Sequence, residues 1–261
     1  MTQPISRNGT APAADQDHPA GSGSTGGPGS TGAPAGSIES LYPFLYSGTT
    51  DVSAVLEQVR QSTAAKAEEI LQLRRTVLAA DSQRLVDCAR QMAARFSAGG
   101  RLFAFGNGGS ATDAQQLATM FLAPGGSARP LPALGLASDA AVLTALSNDI
   151  GVDVVFARQI AAFGTRQDMA VGLSTSGNSE NLLRAFDEAS RRGLLTIGIA
   201  GYEGGRMAEL DSIDYLFVAP SESVHRIQEA QTTIYDVLWE LCQAELASPA
   251  AARSGSEGAA S

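Results

Sequence analysis

Three serines, a threonine and an asparagine crowd the segment Ser174–Ser179, directly ahead of an amphipathic helical pattern. A helix needs only one such side chain to cap its free amide groups, so five candidates exceed what capping requires. Hydroxyls and backbone amides at a helix amino terminus suit a phosphate, because the amides donate hydrogen bonds and the helix dipole favours an anion. We predict that this turn binds the phosphate of a small molecule, and an ordinary capped turn is the alternative.

Another polar turn, "GNGGSA" at residues 106–111, follows a different apolar run. By their order in the chain, we call residues 106–111 the first turn and Ser174–Ser179 the second turn. Glycines let the backbone approach a ligand closely. No lysine follows them, which excludes a Walker A loop, and their spacing does not match a dinucleotide fingerprint. A nucleotide site would be expected to add Lys, Arg or a metal, so the neutral donors of the two turns favour a small monophosphate.

Five short apolar runs predict strands, and helical patterns separate them. The strand segments are "RLFAFG", "ALGLA", "MAVGLS", "LLTIGIAG" and "YLFVA"; helices are predicted over 52–81, 82–98, 110–122, 140–147, 156–164, 181–192 and 225–247, with a short one at 204–211. This alternation indicates an α/β fold with a parallel sheet covered on both faces. Ligands of such sheets lie beyond the carboxyl ends of the strands, where both polar turns fall.

Composition limits the cellular context and the classes of partner. The 261 residues carry a formal net charge of -9, which argues against broad nucleic-acid binding. Cys88 and Cys242 lie in helical patterns far apart, as expected of core thiols in a reducing compartment and not of a disulfide framework. The sequence contains neither a signal-peptide pattern nor an apolar stretch of the roughly 20 residues that a membrane helix requires. We expect a cytoplasmic protein that binds neither nucleic acid nor membrane.

Both ends of the chain differ in composition from the middle. Residues 1–40 and 248–261 are rich in Gly, Ser, Pro and Ala, and we predict that they are disordered tails. A single folded domain is predicted over residues 48–247.

Five segments, in this order, resemble the sugar isomerase (SIS) domain: "FGNGGSATDAQQLA", "LSND", "GLSTSGNSENLLRAF", "GGRMAELD" and "HRIQEAQTTIYDVLWEL". Within that family they are similar to the phosphoheptose isomerase subfamily, which includes the replication initiator-associating protein. The resemblance covers roughly Val52–Ala247. It implies a flavodoxin-like three-layer α-β-α sandwich with a five-stranded parallel sheet, preceded by amino-terminal helices. It also implies a homo-oligomer, tetramer or dimer, with sites at subunit interfaces.

The resemblance assigns contacts with a sugar phosphate position by position. They are Asn107, Gly108, Gly109 and Ser110 in the first turn, Asn148 and Asp149 in "LSND", Ser174, Thr175, Ser176 and Ser179 in the second turn, and Gln228 in the last helix.

The resemblance departs from this chain at the metal and acid–base positions of the family. Those positions hold Gln116, Met120, Gln228 and Asp236 here, in place of a set that includes two histidines and a glutamate. Glutamine and methionine are poor zinc ligands, so we expect no zinc and no other cofactor. Asp236 and Glu229 are the candidate catalytic residues, although a salt bridge at a subunit contact is an alternative role for Glu229.

The resemblance implies two alternative functions. The first is an isomerase of the sedoheptulose 7-phosphate type, which moves a proton between adjacent carbons through an enediol. The second is a non-catalytic sugar-phosphate-binding regulator or scaffold that acts through a protein partner. A nucleic-acid-binding regulator would need an added domain, which neither tail supplies.

Overall fold

The computed structural model describes residues 52–248 and contains one five-stranded parallel sheet in the order β2-β1-β3-β4-β5. The strands are β1 (Leu102–Gly106), β2 (Ala133–Gly135), β3 (Met169–Ser174), β4 (Leu195–Gly201) and β5 (Tyr215–Ala219). The helices are α1 (Val52–Ser97), α2 (Gly109–Leu122), α3 (Ala140–Asp149), α4 (Val155–Phe163), α5 (Glu180–Arg191) and α6 (Val224–Ala247), with 3-10 turns at Val152–Val154 and Gly205–Glu209. The predicted fold class, with its five strands, is confirmed.

The amino-terminal helical region is one helix, so the prediction of two was wrong. Helix α1 runs for 46 residues through the predicted boundary between Asp81 and Ser82. Neither glycine nor proline interrupts it there, and Arg84 forms an ion pair with Asp81 one turn away, which supports helix continuation. Gly99, whose φ is 83°, follows the end of the helix, as the sequence predicts.

The sheet is buried on both faces because alternate side chains of each strand point in opposite directions. In β1, Leu102 and Ala104 pack with α1, α2 and α6, whereas Phe103 and Phe105 pack with α4 and α5. Phe105 lies 5.5 Å from Phe156 and 5.4 Å from Phe186 between ring centroids. The result is the three-layer arrangement that continuous apolar strands favour.

Strand pairing places the two polar turns next to each other. Strands β1 and β3 are neighbours, with Gly106 opposite Leu173 at their carboxyl ends. The first turn leaves β1 at residue 107, and the second leaves β3 at Ser174. Neighbouring strands lie about 4.8 Å apart, so the two turns begin within reach of one small ligand.

The chain divides into two units, Met1–Leu56 and Glu57–Ser261, and the sheet belongs to the second. The predicted tails, residues 1–40 and most of 248–261, lie outside the described residues. Between residues 52 and 248, no helix has the combined length and apolarity that crossing a bilayer requires.

Candidate functional site

The second turn is organised by its own hydroxyls. The buried Ser174 Oγ accepts a hydrogen bond from the Gly177 amide at 3.0 Å, and the Ser176 Oγ accepts one from the Asn178 amide at 3.3 Å. Each hydroxyl keeps its own proton to donate to a ligand. The turn is therefore preformed, and its hydroxyls retain donor capacity.

Glycine is required at the centre of this turn. Gly177 has a φ of 67°, and a Cβ there would lie 1.9 Å from the carbonyl oxygen of Gly204. The Gly177 carbonyl in turn accepts a hydrogen bond from the Met207 amide at 3.0 Å. The second turn is thus packed directly on the backbone of the β4–β5 connection, which fixes its position.

Ser179 occupies the N-cap position of α5, yet its side chain forms no capping hydrogen bond. Helix α3 offers the contrast, since the Asp139 carboxylate accepts bonds from the Ala141 and Val142 amides, both at 3.0 Å. The first amides of a helix have no partner inside it. The amino terminus of α5 therefore has donor groups that no capping side chain occupies, which favours anion binding over the ordinary capped turn.

The first turn is joined to α5 through a pair of side-chain amides. Asn107 Nδ2 donates to Asn181 Oδ1, and Asn181 Nδ2 donates to Asn107 Oδ1, both at 2.9 Å. Asn107, Gly108 and Gly109 are exposed, whereas Ser110 is buried. The first turn is therefore connected by direct hydrogen bonds to α5, the helix that follows the second turn.

Helix α6 brings Gln228 to the first turn. A Cβ on Gly109 would lie 2.2 Å from Gln228 Nε2, so the glycine allows the carboxamide to approach the turn backbone. One turn along the helix, the fully buried Gln231 donates from Nε2 to the carbonyls of Ser174 and Ile199, both at 3.1 Å. Helix α6 thereby contacts the carboxyl ends of β3 and β4 as well as the first turn.

The two candidate catalytic carboxylates have different surroundings. Glu229 forms an ion pair with Arg226, one turn before it on the same helix. Asp236 is half-buried. Burial raises the pKa of its carboxyl group most, the nearby Glu240 raises it further, and Arg74 lowers it. The raised pKa brings Asp236 closer to the range in which a carboxylate acts as a general base near neutral pH.

The remaining predicted positions are less closely connected to the turns. Asn148 and Asp149 end α3, are exposed, and are hydrogen-bonded to each other at 2.9 Å from Asn148 Nδ2 to Asp149 Oδ1. Gln116 is exposed on α2, and Met120 packs against the core. No hydrogen bond or ion pair in the described part of the chain joins these four residues to either turn.

Three residues at this edge were missed by sequence reasoning: Asn181, Gln231 and Asp113. Asp113 is half-buried on α2, its Oδ2 has no partner within residues 52–248, and burial raises its pKa. It lies four residues after Gly109, so helical periodicity alone could have placed it on the Gln228 side of α2. Gln231 lies three residues after Gln228, so periodicity could also have placed it on the same side of α6 as Gln228. No sequence signal distinguished Asn181 from a surface residue.

A cavity of about 700 Å³ opens beside the second turn, on the side of β4 and β5. Its lining includes Ser176, Asn178 and Tyr202, together with the carboxylates of Glu203 and Glu222. These carboxylates would repel an anion, so the phosphate is better accommodated by the amides of α5 than by this cavity.

Comparison with known proteins decides the family. The SIS domain model matches residues 67–201. A phosphoheptose isomerase of Aquifex aeolicus is 41% identical over 163 residues, which cover 62% of this chain and 84% of the relative. The chain belongs to the phosphoheptose isomerase family of SIS-domain proteins.

Solved structures of the family agree in fold. The phosphoheptose isomerase of Francisella tularensis matches with a TM-score of 0.67 and 28% identity, covering 71% of this chain and 98% of that one. The enzyme of Neisseria gonorrhoeae matches with a TM-score of 0.64 and 32% identity, covering 71% and 99%. The resemblance carried by the five sequence segments is therefore confirmed.

The metal that the family resemblance implies does not fit the residues of this chain. The four corresponding positions offer two carboxamides, one thioether and one carboxylate, whereas zinc prefers thiolate, imidazole and carboxylate ligands. Among the described residues, no three His, Cys, Asp or Glu side chains lie close enough together to hold a metal ion.

Proposed function

We propose that the protein interconverts sedoheptulose 7-phosphate and the corresponding aldose phosphate through an enediol. The observation that carries this proposal is the second turn, with its three serine hydroxyls before an α5 terminus that no side chain caps, beside the glycine-rich first turn. Membership in the phosphoheptose isomerase family supports the choice of substrate.

The phosphate is proposed to bind Ser174, Thr175, Ser176 and Ser179 together with the first amides of α5. All these donors are neutral, so the helix dipole and the number of hydrogen bonds supply the attraction. The sugar is proposed to extend from the phosphate toward Asn107, Gly108, Gly109, Ser110 and Gln228. The hydrogen bonds from Asn107 to α5 and the close approach of Gln228 to Gly109 support this direction. The assignment of Asn148 and Asp149 to the sugar rests on the resemblance alone.

Isomerisation requires a base that takes a proton from one carbon and returns it to the adjacent carbon. Asp236 is the proposed base because the resemblance puts it at an acid–base position of the family. Its raised pKa and the pairing of Glu229 with Arg226 support this choice. The enediol oxygens also need hydrogen-bond donors as charge develops on them. The carboxamides of Gln228 and Asn107 are proposed to supply these bonds, and no step uses a metal.

Deuterium exchange tests the proposed activity directly. Purified protein is incubated with sedoheptulose 7-phosphate in deuterated water, with and without added zinc, and the carbons beside the carbonyl are followed by NMR. We expect the aldose product to form and solvent deuterium to enter the sugar without zinc. Ligand binding without exchange or product would instead favour the non-catalytic alternative, and no response to several sugar phosphates would contradict both functions.

Two matched variants test the assignment of the base. Asp236→Asn is expected to abolish turnover while substrate affinity stays nearly unchanged. Glu229→Gln removes the neighbouring carboxylate on the same helix and is expected to retain most of the turnover. Full activity of Asp236→Asn would exclude Asp236 as the base.

We also propose that the protein is a cytoplasmic homo-oligomer, a dimer or tetramer with its sites at subunit interfaces. Apolar side chains of α1 support this, since Val59 is 56% exposed, Leu71 44% and Leu78 39%. Exposed apolar area of this kind is what an interface between copies of the chain would bury. Light scattering coupled to size-exclusion chromatography tests the assembly, and a monomer at micromolar concentration would contradict it.

A further inference from the structure

Asn107 and Asn181 are 74 residues apart in the chain, yet each donates a hydrogen bond to the other. Asn181 is 7% exposed, whereas Asn107 is exposed. A buried carboxamide without partners would cost free energy, so Asn107 satisfies groups that Asn181 could not leave unpaired. The pair thus connects an anchored side chain to one at the surface.

The backbone explains why these two side chains meet. Asn107 is the first residue after β1, and Asn181 is the second residue of α5, which follows β3. Strands β1 and β3 are neighbours, with Gly106 opposite Leu173. Asparagine is a weak helix former, so its presence in the first turn of α5 is better explained by this contact than by helix stability.

The hydrogen bonds restrict how the Asn107 carboxamide is presented. Rotating either amide alone by 180° would set donor against donor and acceptor against acceptor, so the two orientations are coupled. Each carboxamide uses one N–H and one oxygen lone pair in the pair and keeps one of each. Because Asn107 is exposed, its remaining donor and acceptor are held in a fixed direction for a ligand.

We propose that Asn181 is a positioning residue that holds the Asn107 carboxamide against the hydroxyl and carbonyl oxygens of the sugar. This rests on the proposed function, since it assumes that the phosphate occupies the second turn and that the carbon chain reaches the first. Asn181 acts through Asn107 and contributes nothing to phosphate binding. Recognition of the sugar would then depend on the contact between the first turn and α5.

A double-mutant cycle tests this role with two ligands, sedoheptulose 7-phosphate and inorganic phosphate, whose affinities are measured by calorimetry. We expect Asn181→Ala and Asn107→Ala each to weaken sugar-phosphate binding by about tenfold, the scale of one lost hydrogen-bonding group. The double variant is expected to be no weaker than Asn107→Ala alone, because the two residues act as one unit. Affinity for inorganic phosphate should stay within about twofold throughout.

Two further variants separate positioning from stability. Asn181→Leu keeps the size and burial of the side chain without its hydrogen bonds, and is used if Asn181→Ala does not fold. Gln243→Ala removes a comparable reciprocal amide contact, the one between Gln243 and the Arg129 backbone at 2.9 and 3.1 Å, and should leave both affinities unchanged. Additive losses in the cycle, or an equal loss of inorganic phosphate binding, would overturn the proposal.

The same experiment distinguishes failure of the proposal from failure of the proposed function. If the wild-type protein binds the sugar phosphate but shows no turnover in deuterated water, the isomerase assignment fails and the cycle still decides the role of Asn181. If the wild-type protein binds neither ligand, both are overturned.

Discussion

At the amino-terminal edge of the sheet, the buried Asp168 accepts hydrogen bonds from the backbone and side chains of Arg101 and Thr165 at 2.7 to 3.2 Å. At the carboxyl-terminal edge, the buried Gln231 Oε1 and the Asp113 Oδ2 have no partner within the described residues. At the first edge the buried carboxylate has hydrogen-bond partners for both oxygens, whereas at the second edge two side-chain oxygens have none. Paired polar groups stabilise a fold, whereas a buried oxygen without a partner contributes no hydrogen bond to it.

Asp168→Ala should cause the largest loss of stability. Its removal takes a buried carboxylate away from the five hydrogen bonds that Arg101 and Thr165 donate to it, and we expect the free energy of unfolding to fall by about 3 kcal/mol. Phosphate affinity of the folded fraction should stay unchanged, because the residue lies at the opposite edge. Chemical denaturation measures the first quantity and calorimetry the second; a stability loss below about 1 kcal/mol would contradict the comparison.

The same carboxylate predicts a dependence of stability on pH. Burial alone would raise the Asp168 pKa, but the bonds from Arg101 and Thr165 lower it below the ordinary aspartate value of 3.8. Since the folded pKa is depressed, the contribution is present above pH 3.8 and is lost as the pH falls through the folded pKa. The difference in unfolding free energy between wild type and Asp168→Ala should therefore shrink in strong acid, and a constant difference would contradict this assignment.

Gln231→Leu should affect stability and binding together. The carbonyls of Ser174 and Ile199 lose their buried donor, at a cost of about 2 kcal/mol, and the second turn loses its support. Gln159→Leu is a matched control, because Gln159 Nε2 also donates to two carbonyls, those of Leu136 and Val155, both at 3.1 Å. We expect similar denaturation midpoints for the two variants and weaker phosphate binding only for Gln231→Leu.

Ser176→Ala should have a smaller effect, confined to the ligand. One hydrogen bond to a charged phosphate is lost, so affinity should weaken by about 1 to 2 kcal/mol, with little change in stability. Calorimetry with sedoheptulose 7-phosphate measures the loss, and unchanged affinity would remove Ser176 from the site.

Asp236→Asn should produce the smallest change in stability, and it should stabilise the protein, whereas Asp168→Ala and Gln231→Leu destabilise it. Burial and Glu240 raise the Asp236 pKa above the ordinary aspartate value of 3.8, so the folded protein holds the proton more tightly than the unfolded chain. Stability therefore declines as the pH rises from the unfolded pKa to the folded pKa. Asparagine removes that penalty, and the gain at neutral pH should be below about 1 kcal/mol because the side chain is partly solvated. Destabilisation of the variant at neutral pH would contradict the burial argument.

Periodicity and turn chemistry predicted most of the elements. The apolar segments predicted the bounds of β1 and β3 to within a residue, and Gly99 predicted the end of α1. The hydroxyls of Ser174–Ser179 predicted the second turn. The continuity of α1 was missed because Asp81 and Ser82 resemble a helix start, although nothing there breaks a helix. Local sequence patterns predict where helices and strands form, but they do not predict whether two adjacent helical segments form one continuous helix.

The supporting residues of the site could not be predicted in the same way. Gln231 and Asn181 are polar residues in amphipathic helices, where a solvated position is the usual expectation. Their roles depend on strand ends and side chains 57 and 74 residues earlier in the chain. Such contacts exist only once the order of the strands is known.

A crystal structure with sedoheptulose 7-phosphate bound tests the central claim most directly. The phosphate is predicted to lie within about 3 Å of the hydroxyls of Ser174, Ser176 and Ser179 and of the first amides of α5, with the sugar directed toward Asn107 and Gln228. A phosphate bound elsewhere, with the Ser174–Ser179 turn facing solvent, would contradict the claim.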